Sequence, residues 1–322
     1  MITRPLVSVI IPLFNAEKYI SEAIRSAIGQ TWANIEVIVV DDGSTDNSLA
    51  LARAFETDNV KIFHQENKGA SAARNLALTH SKGEFIQFLD ADDLISPRKI
   101  EAQLDRLAIF PGHICCCSSV FFFDNEDHLQ RPVAAVGFQK EVYGGDEFLT
   151  GLYGFPYGGM VPMHSWLTPA SVIKKAGRWN EGLSVNDDGE FFCRAVLSAK
   201  GVINCEDSVS YYRKHRAGGS LSAGLSREAY HSMLTAMSLQ HAHLLQKSKK
   251  PADVNRLFAR KYFETGVAAY PQYRDISRDA INKSVAFGNE NRSYLAGPVS
   301  TALSRIIGWK AIRVLTYLRF GV

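Results

Sequence analysis

With 322 residues, 46% of them hydrophobic, the chain can bury one large core or two small ones. A formal charge of +3 is too small to make nucleic acid the main partner. No stretch reaches the ~20 apolar residues of a membrane span, and none of the five cysteines forms a CxxC pair, so structural zinc is not expected. Cys115, Cys116 and Cys117 are consecutive in an apolar run, and Cys193 and Cys205 stand apart. They read as reduced, structural thiols of a reducing compartment. The opening MITRPLVSVIIPLF is interrupted by Pro12 and has no small-residue cleavage site, so a cytoplasmic location is expected.

The first pattern is VSVII, 7–11, a β-branched run that reads as a strand buried on both faces and closed by Pro12. From 16 to 30 the period turns helical, with Ile20, Ala23, Ile24, Ala27 and Ile28 on one face. IEVIVV, 35–40, is a second buried strand. A helix is expected over 46–55, capped by Ser44 or Thr45. VKIF, 60–63, is a third strand, 70–79 a third helix, and FIQFL, 85–89, a fourth strand. Strands alternating with helices imply an α/β fold with a mostly parallel sheet. The stretch 114–183 is mixed: SSVFFFD reads as a strand, and GLYGFPYGGMVPMHSW as a pocket-shaping loop. After about Ser226 the chain becomes helical.

Parallel α/β sheets bind ligands beyond the carboxyl ends of their strands. There this chain places Asp41-Asp42-Gly43-Ser44, then Asn67-Lys68-Gly69, then Asp90-Ala91-Asp92-Asp93. No GxGxxG follows the first strand and no GxxxxGK[ST] occurs, which argues against dinucleotide binding and against a P-loop. Acids repel a diphosphate unless a cation lies between them. Asp90 and Asp92 can offer oxygens to Mg²⁺ or Mn²⁺ and to ribose hydroxyls. Lys68 and Arg74, near a helix start, suit phosphate. Each group also has a plain structural reading. Asp93 or Ser96 can cap the helix after Pro97, Ser44 can cap its own helix, and Lys68 with Arg74 can be a solvated patch.

The ordered set VSVIIPLFNAEKYISEAIRSAIGQT, VVDDGSTDNS, ENKGASAARN and FLDADD resembles the family 2 glycosyltransferases of the GT-A fold, over roughly the first hundred residues. DDGEFFCRAVLSAKG, from Asp187 to Gly201, resembles the family's acidic segment, with Asp187-Asp188 where Glu-Asp is usual. The resemblance implies a Rossmann-like, mostly parallel sheet flanked by helices, with a GT-A domain over 1–225. Its nucleotide-sugar half would be about 1–115 and its acceptor half about 116–225, followed by a helical region over 226–322. It implies that Pro12, Asn15 and Asp42 line the base pocket, and that Arg74 lies near the nucleotide or diphosphate. It places Asp90 at the ribose, Asp92 on the metal with Asp93 a second candidate, and Asp188 as general base. Asp187 and Glu190 remain alternatives for the base. YYRKHRAGGSLS resembles a family segment that brings His215 toward the diphosphate or metal; a surface histidine is the plain alternative.

The implied reaction is inverting transfer from a nucleotide-diphosphate sugar, a UDP-sugar by expectation, to a saccharide or lipid-linked acceptor, in polysaccharide or glycolipid biosynthesis. Two rival readings use the same fold: a nucleotidyltransferase that makes nucleotide sugars, and a non-catalytic carbohydrate binder. The first usually carries a Gly-rich basic loop where this chain has Pro12-Leu13-Phe14-Asn15; the second should lack the metal acid or the base. Trp166 and Trp179 can stack on sugars but more plainly pack the core. The stretch SRIIGWKAIRVLTYLRF mixes cations with apolar residues. It reads either as a peripheral contact with the inner face of an anionic membrane or as a packed terminal helix.

Overall fold

The structure, a computed structural model, describes residues 4–123, 127, 129, 140–154, 159–215, 226–288 and 298–320. Its first half alternates strands with helices: β1 (Val7–Leu13), α1 (Ile20–Ile28), β2 (Ile35–Asp42), α2 (Ser48–Arg53), β3 (Val60–Gln65), α3 (Ala70–His80) and β4 (Phe85–Phe88). There follow β5 (Leu94–Ile95), α4 (Lys99–Ile109), β6 (Ile114–Phe123), β7 (Val142–Tyr143), α5 (Gly145–Leu152), a 3₁₀ turn (Met163–Ser165), β8 (Thr168–Pro169) and α6 (Ala170–Ala176). Then come α7 (Asp187–Ser198), β9 (Val202–Lys214), α8 (Arg227–Lys247), α9 (Pro251–Ala269), α10 (Arg274–Ala286), α11 (Pro298–Ile307) and α12 (Trp309–Phe320).

The main sheet has the order β3-β2-β1-β4-β8, with β1 to β4 parallel and β8 antiparallel to β4. A second sheet, β5-β9-β6 with β7 also on β9, was not legible in the periodicity. Both faces of the main sheet are buried, as the β-branched runs require. Ile10, Ile38, Val40 and Phe88 join α7, α8 and α9 in one core. Val9, Ile11, Val37 and Val39 join α1 and α4 in another. The helical region is therefore not set apart, because Met237, Leu244, Phe258 and Tyr262 share a core with the central strands.

Three local expectations need correction. Pro12 does not close β1; the strand continues to Leu13, paired with β2. Pairing with β4 ends at Ile10, so the missing N–H of Pro12 falls where β1 has run past that neighbour. The first helix begins at Ile20 rather than 16. Ala16 is held by Ser48 Oγ at 2.8 Å, and residues 16–19 form a turn closed on the Ala16 carbonyl. Neither Ser44 nor Thr45 caps α2. Both bind Asn15 instead: Asn15 N donates to Ser44 Oγ at 3.0 Å, and Thr45 N donates to Asn15 Oδ1 at 2.8 Å. Asn15 takes a left-handed φ of 48° to do this, a conformation Asn tolerates better than most residues. The loops after β1 and β2 are thereby stitched together beside the strand ends.

Trp166 and Trp179 are both core residues, 2% exposed, stacked on Phe192 and Phe191 at 5.2 and 4.1 Å. All five cysteines are buried and free.

Candidate active site

The β2 end carries two acids that face opposite ways. Asp41 is fully buried, with Oδ2 2.8 Å from His64 Nδ1. Asp42 accepts Gln65 Nε2 at 2.7 Å and the backbone N–H groups of Lys68 and Gly69 at 2.8 Å each. It thus fixes the Asn67-Lys68-Gly69 loop while the Lys68 side chain stays exposed. Gly43 permits this approach: its φ is 76°, and a Cβ there would stand 2.9 Å from Asn67 N.

Beyond β4 the three carboxylates of the acidic turn meet three different environments. Asp90 accepts Arg74 Nη2 at 2.9 Å, and burial raises its carboxyl to about 6 against the opposing pull of Arg74. Asp92 is exposed to about the same degree as Asp90, 35% at the side chain, and its Oδ2 lies 2.8 Å from His215 Nε2. Asp93 is buried; Oδ1 accepts Arg213 N at 2.7 Å, and burial, with Asp92 nearby, pushes its carboxyl well up. Arg213 also donates Nε to the Asp92 carbonyl at 2.8 Å, so β9 braces the turn at two points. Residues 216–222 of the YYRKHRAGGSLS segment lie outside the described residues.

The structure adds a residue that sequence reading missed. His164, in the 3₁₀ turn, is fully buried, with Nδ1 2.9 Å from Asp93 Oδ2, and neither ring nitrogen makes a hydrogen bond of good geometry. Burial holds it down at about 4. Its turn is placed by a buried chain: Lys99 Nζ donates to Gln87 Oε1 at 2.5 Å, and Gln87 Nε2 donates to the His164 carbonyl at 2.9 Å. His164 lies in the Gly- and Pro-rich stretch read as a loop. Only the polarity of a lone His among apolar neighbours could have singled it out.

α7 supplies the opposite wall. Asn186 enters it in the left-handed region, φ 60°, and Gly189 leaves no room for a side chain: a Cβ would lie 2.1 Å from Asn186 Oδ1. Ser232 of α8 holds the approach, its Oγ accepting Ser184 N and Val185 N at 2.9 and 3.0 Å. Asp187 accepts Ser71 Oγ at 2.8 Å and Arg74 Nη1 at 2.9 Å. Glu190 is buried in a two-point pair with Arg194, at 2.7 and 2.8 Å. Among the described residues, no side chain donates to Asp188. Burial, then the neighbouring Asp187, raises its carboxyl to about 6.

Arg74 joins the two walls. It is buried, spans Asp90 and Asp187, and lies 4.5 Å from the centre of the Trp179 ring. Expected near the nucleotide or diphosphate, it gives both terminal nitrogens to carboxylates in this structure. The sequence-expected residues Asp42, Arg74, Asp90, Asp92, Asp188 and His215 come from strand ends, α3, α7 and β9. Pro12 is buried within β1, and Asn15 serves the loop stitch.

Two donor sets fit a divalent ion. Asp92 with His215 is one carboxylate and one imidazole, partly open, leaving positions for phosphate oxygens and water as Mg²⁺ and Mn²⁺ sites do. Asp90, Asp93 and His164 form the other, their ligand atoms all within 4.8 Å of one another.

Known proteins resemble this chain in sequence and in fold. The chain is 28% identical over 273 residues to glycosyltransferase GlyA of Streptococcus pneumoniae serotype 4, covering 83% of this chain and 38% of GlyA. It is 44% identical over 99 residues to glycosyltransferase GlyG of the same organism, covering 30% and 33%. The chain thus spans well under half the length of these relatives. Among solved structures, S. aureus TarS 1-349 in complex with UDP-GlcNAc superposes with a TM-score of 0.70 at 21% identity, over 98% of this chain and 92% of that one. The fold is that GT-A arrangement. The sequence model of Glycosyl transferase family 2 matches residues 8–174, just over half of the chain. On that match and the strand-end motifs it contains, the chain belongs to glycosyl transferase family 2.

Proposed function

We propose that this protein transfers a sugar from a UDP-sugar to a hydroxyl of a saccharide or lipid-linked acceptor, with inversion, in polysaccharide or glycolipid assembly in the cytoplasm. The observation that carries the reading is the facing of two acidic groups across Arg74: Asp92 is partly open beside His215, and Asp188 accepts the Gly189 backbone N–H at 2.7 Å and, among the described residues, no side-chain donor. Uridine as the nucleotide is supported by TarS, solved in complex with UDP-GlcNAc and with UDP.

In this reading the donor binds over residues 1–115 and the acceptor over 116–225. A carboxylate offers about four lone-pair sites. Asp42 uses three, and the fourth accepts an N–H of the base, beside Pro12 and Asn15. Asp90 meets the ribose, held in place by Arg74. Lys68, exposed at the start of α3, faces the diphosphate. Asp92 and His215, with Asp93 behind the turn, would hold Mg²⁺ or Mn²⁺. When bound, that ion stabilises the charge growing on the leaving diphosphate.

Asp188 takes the proton of the acceptor hydroxyl as its oxygen attacks C1 of the sugar. The C1–O bond to the diphosphate breaks on the opposite side, and UDP leaves. A single displacement needs no enzyme nucleophile, so the other acids have only to bind and orient. The test is incubation of the pure protein with a panel of nucleotide sugars and Mn²⁺, with nucleoside diphosphate release as readout and Asp188→Asn alongside. Release from a UDP-sugar that fails in the variant supports the reading. Release at equal rate by both proteins, or from no donor at all, overturns it.

A further inference from the structure

The final two helices resolve the choice between packing and exposure, because they do both. α12 is docked on α9 by one face. Ile312 is 5% exposed, and Trp309 meets the rings of Phe263 and Tyr270 at 6.0 and 5.6 Å. Arg313 donates to the carbonyls of Val267, Ala268 and Tyr270 at 3.1, 3.1 and 3.2 Å, closing the C-terminal end of α9. The other side is bare. Ile306 is 81% exposed and Leu318 76%, with Leu303, Ile307 and Leu315 also exposed. Their spacing, 303/306/307 on α11 and 315/318 on α12, gives each helix an apolar stripe. Among the described residues, five of the thirteen exposed large apolar residues fall in these sixteen positions.

Charge identifies the occupant. From Asn291 to Val322 there is no Asp or Glu, but there are five cations: Arg292, Arg305, Lys310, Arg313 and Arg319. This segment carries +5, and the remaining 290 residues carry −2. A second copy of the chain would set this cationic segment against itself with no acid to answer it, which disfavours a symmetric dimer. A layer that accepts apolar side chains at the depth where it presents negative charge is an anionic lipid surface. Among the described residues no helix is long and apolar enough to cross a membrane, so the contact is with the surface.

We propose that the exposed faces of α11 and α12 dock the protein on an anionic phospholipid bilayer, Leu303, Ile306 and Leu318 entering the interface and Arg305 and Lys310 meeting the headgroups. This inference stands apart from the sugar-transfer reading. The test is co-sedimentation of the full chain with vesicles of phosphatidylcholine alone and of phosphatidylcholine mixed with phosphatidylglycerol, at low and high salt. Binding is expected to the mixed vesicles only, and to weaken with salt. The double variant Arg305→Gln/Lys310→Gln should lose about 30-fold in affinity, two cations' worth of attraction. Ile306→Ser/Leu318→Ser should bind weakly even at low salt. These side chains are exposed, so unchanged melting curves check that the variants fold. No binding by the full chain, equal binding to both vesicle types, or variants that bind as well as the parent would overturn the proposal. So would lipid-free dimerisation abolished by Ile306→Ser/Leu318→Ser, which would make the face a protein interface.

Discussion

The acidic turn after β4 and the start of α7 have nearly the same composition, three carboxylates within four positions in each: Asp90, Asp92 and Asp93, then Asp187, Asp188 and Glu190. Each triplet is sorted in the same way by what the rest of the chain brings to it. One acid of each is braced by structure: Asp93 accepts the Arg213 backbone N–H at Oδ1, and Glu190 pairs with Arg194. A second acid shares Arg74, Asp90 through Nη2 and Asp187 through Nη1. The third, Asp92 or Asp188, makes no pair with Arg74, and the two differ. Asp92 has a histidine beside it, a donor pair suited to a cation. Asp188 has no side-chain partner among the described residues, and burial raises its carboxyl, which makes it a stronger base than a surface aspartate. Composition does not separate the proposed metal-holding acid, Asp92, from the proposed base, Asp188; their partners do.

The largest effect expected from this contrast is on turnover. Asp188→Asn should lose about 10²–10⁴-fold in rate, the usual worth of a general base. Asp187→Asn and Glu190→Gln should lose much less rate and more stability. Turnover of the three variants beside their melting curves checks the assignment; a dead Asp187→Asn with an active Asp188→Asn would shift the base by one residue.

Next is the strut. Arg74→Met leaves Asp90 and Asp187 without their shared cation. The expected loss is about 3 kcal/mol, the low end for breaking a buried ion pair, because Asp90 keeps 33% of its side chain exposed. Urea midpoints measure it. A loss under ~1 kcal/mol, typical of surface pairs, would show that the two walls are not tied through this residue.

The smallest effect is on pH dependence, and its sign is fixed. Asp188 is raised to about 6, so it is protonated and unable to accept a proton below that value. The kcat/KM should therefore fall about tenfold per unit as pH drops through 6. Stability runs the other way: the folded pKa lies above the unfolded one, so this group costs stability as pH rises from about 4 to about 6. A rate profile flat down to pH 5 would remove Asp188 as the titrating base.

Much of this arrangement was legible in the sequence, for one physical reason. Short apolar runs bounded by turn residues mark β1 to β4, and the acids that follow β2 and β4 mark the sheet edge where ligands bind, so these strands and the positions of Asp42, Asp90 and Asp92 could be placed locally. What was not legible depends on distant partners. Arg74 reads as a cation near the nucleotide or diphosphate, but its tie to Asp187, 113 residues away, has no local signal. Asp93 reads as a helix cap until Arg213, 120 residues away, donates to it. His164 and the second sheet lie in segments where neither the period of 2 nor that of 3.6 persists.

The central claim is that the two triplets divide the work, donor at Asp92 and acceptor at Asp188. Titration calorimetry with UDP and Mn²⁺ on the parent, Asp92→Asn and Asp188→Asn tests it most directly. The account expects Mn²⁺-dependent UDP binding to be lost in Asp92→Asn and retained in Asp188→Asn. Equal loss in both variants, or full binding by Asp92→Asn, would contradict it.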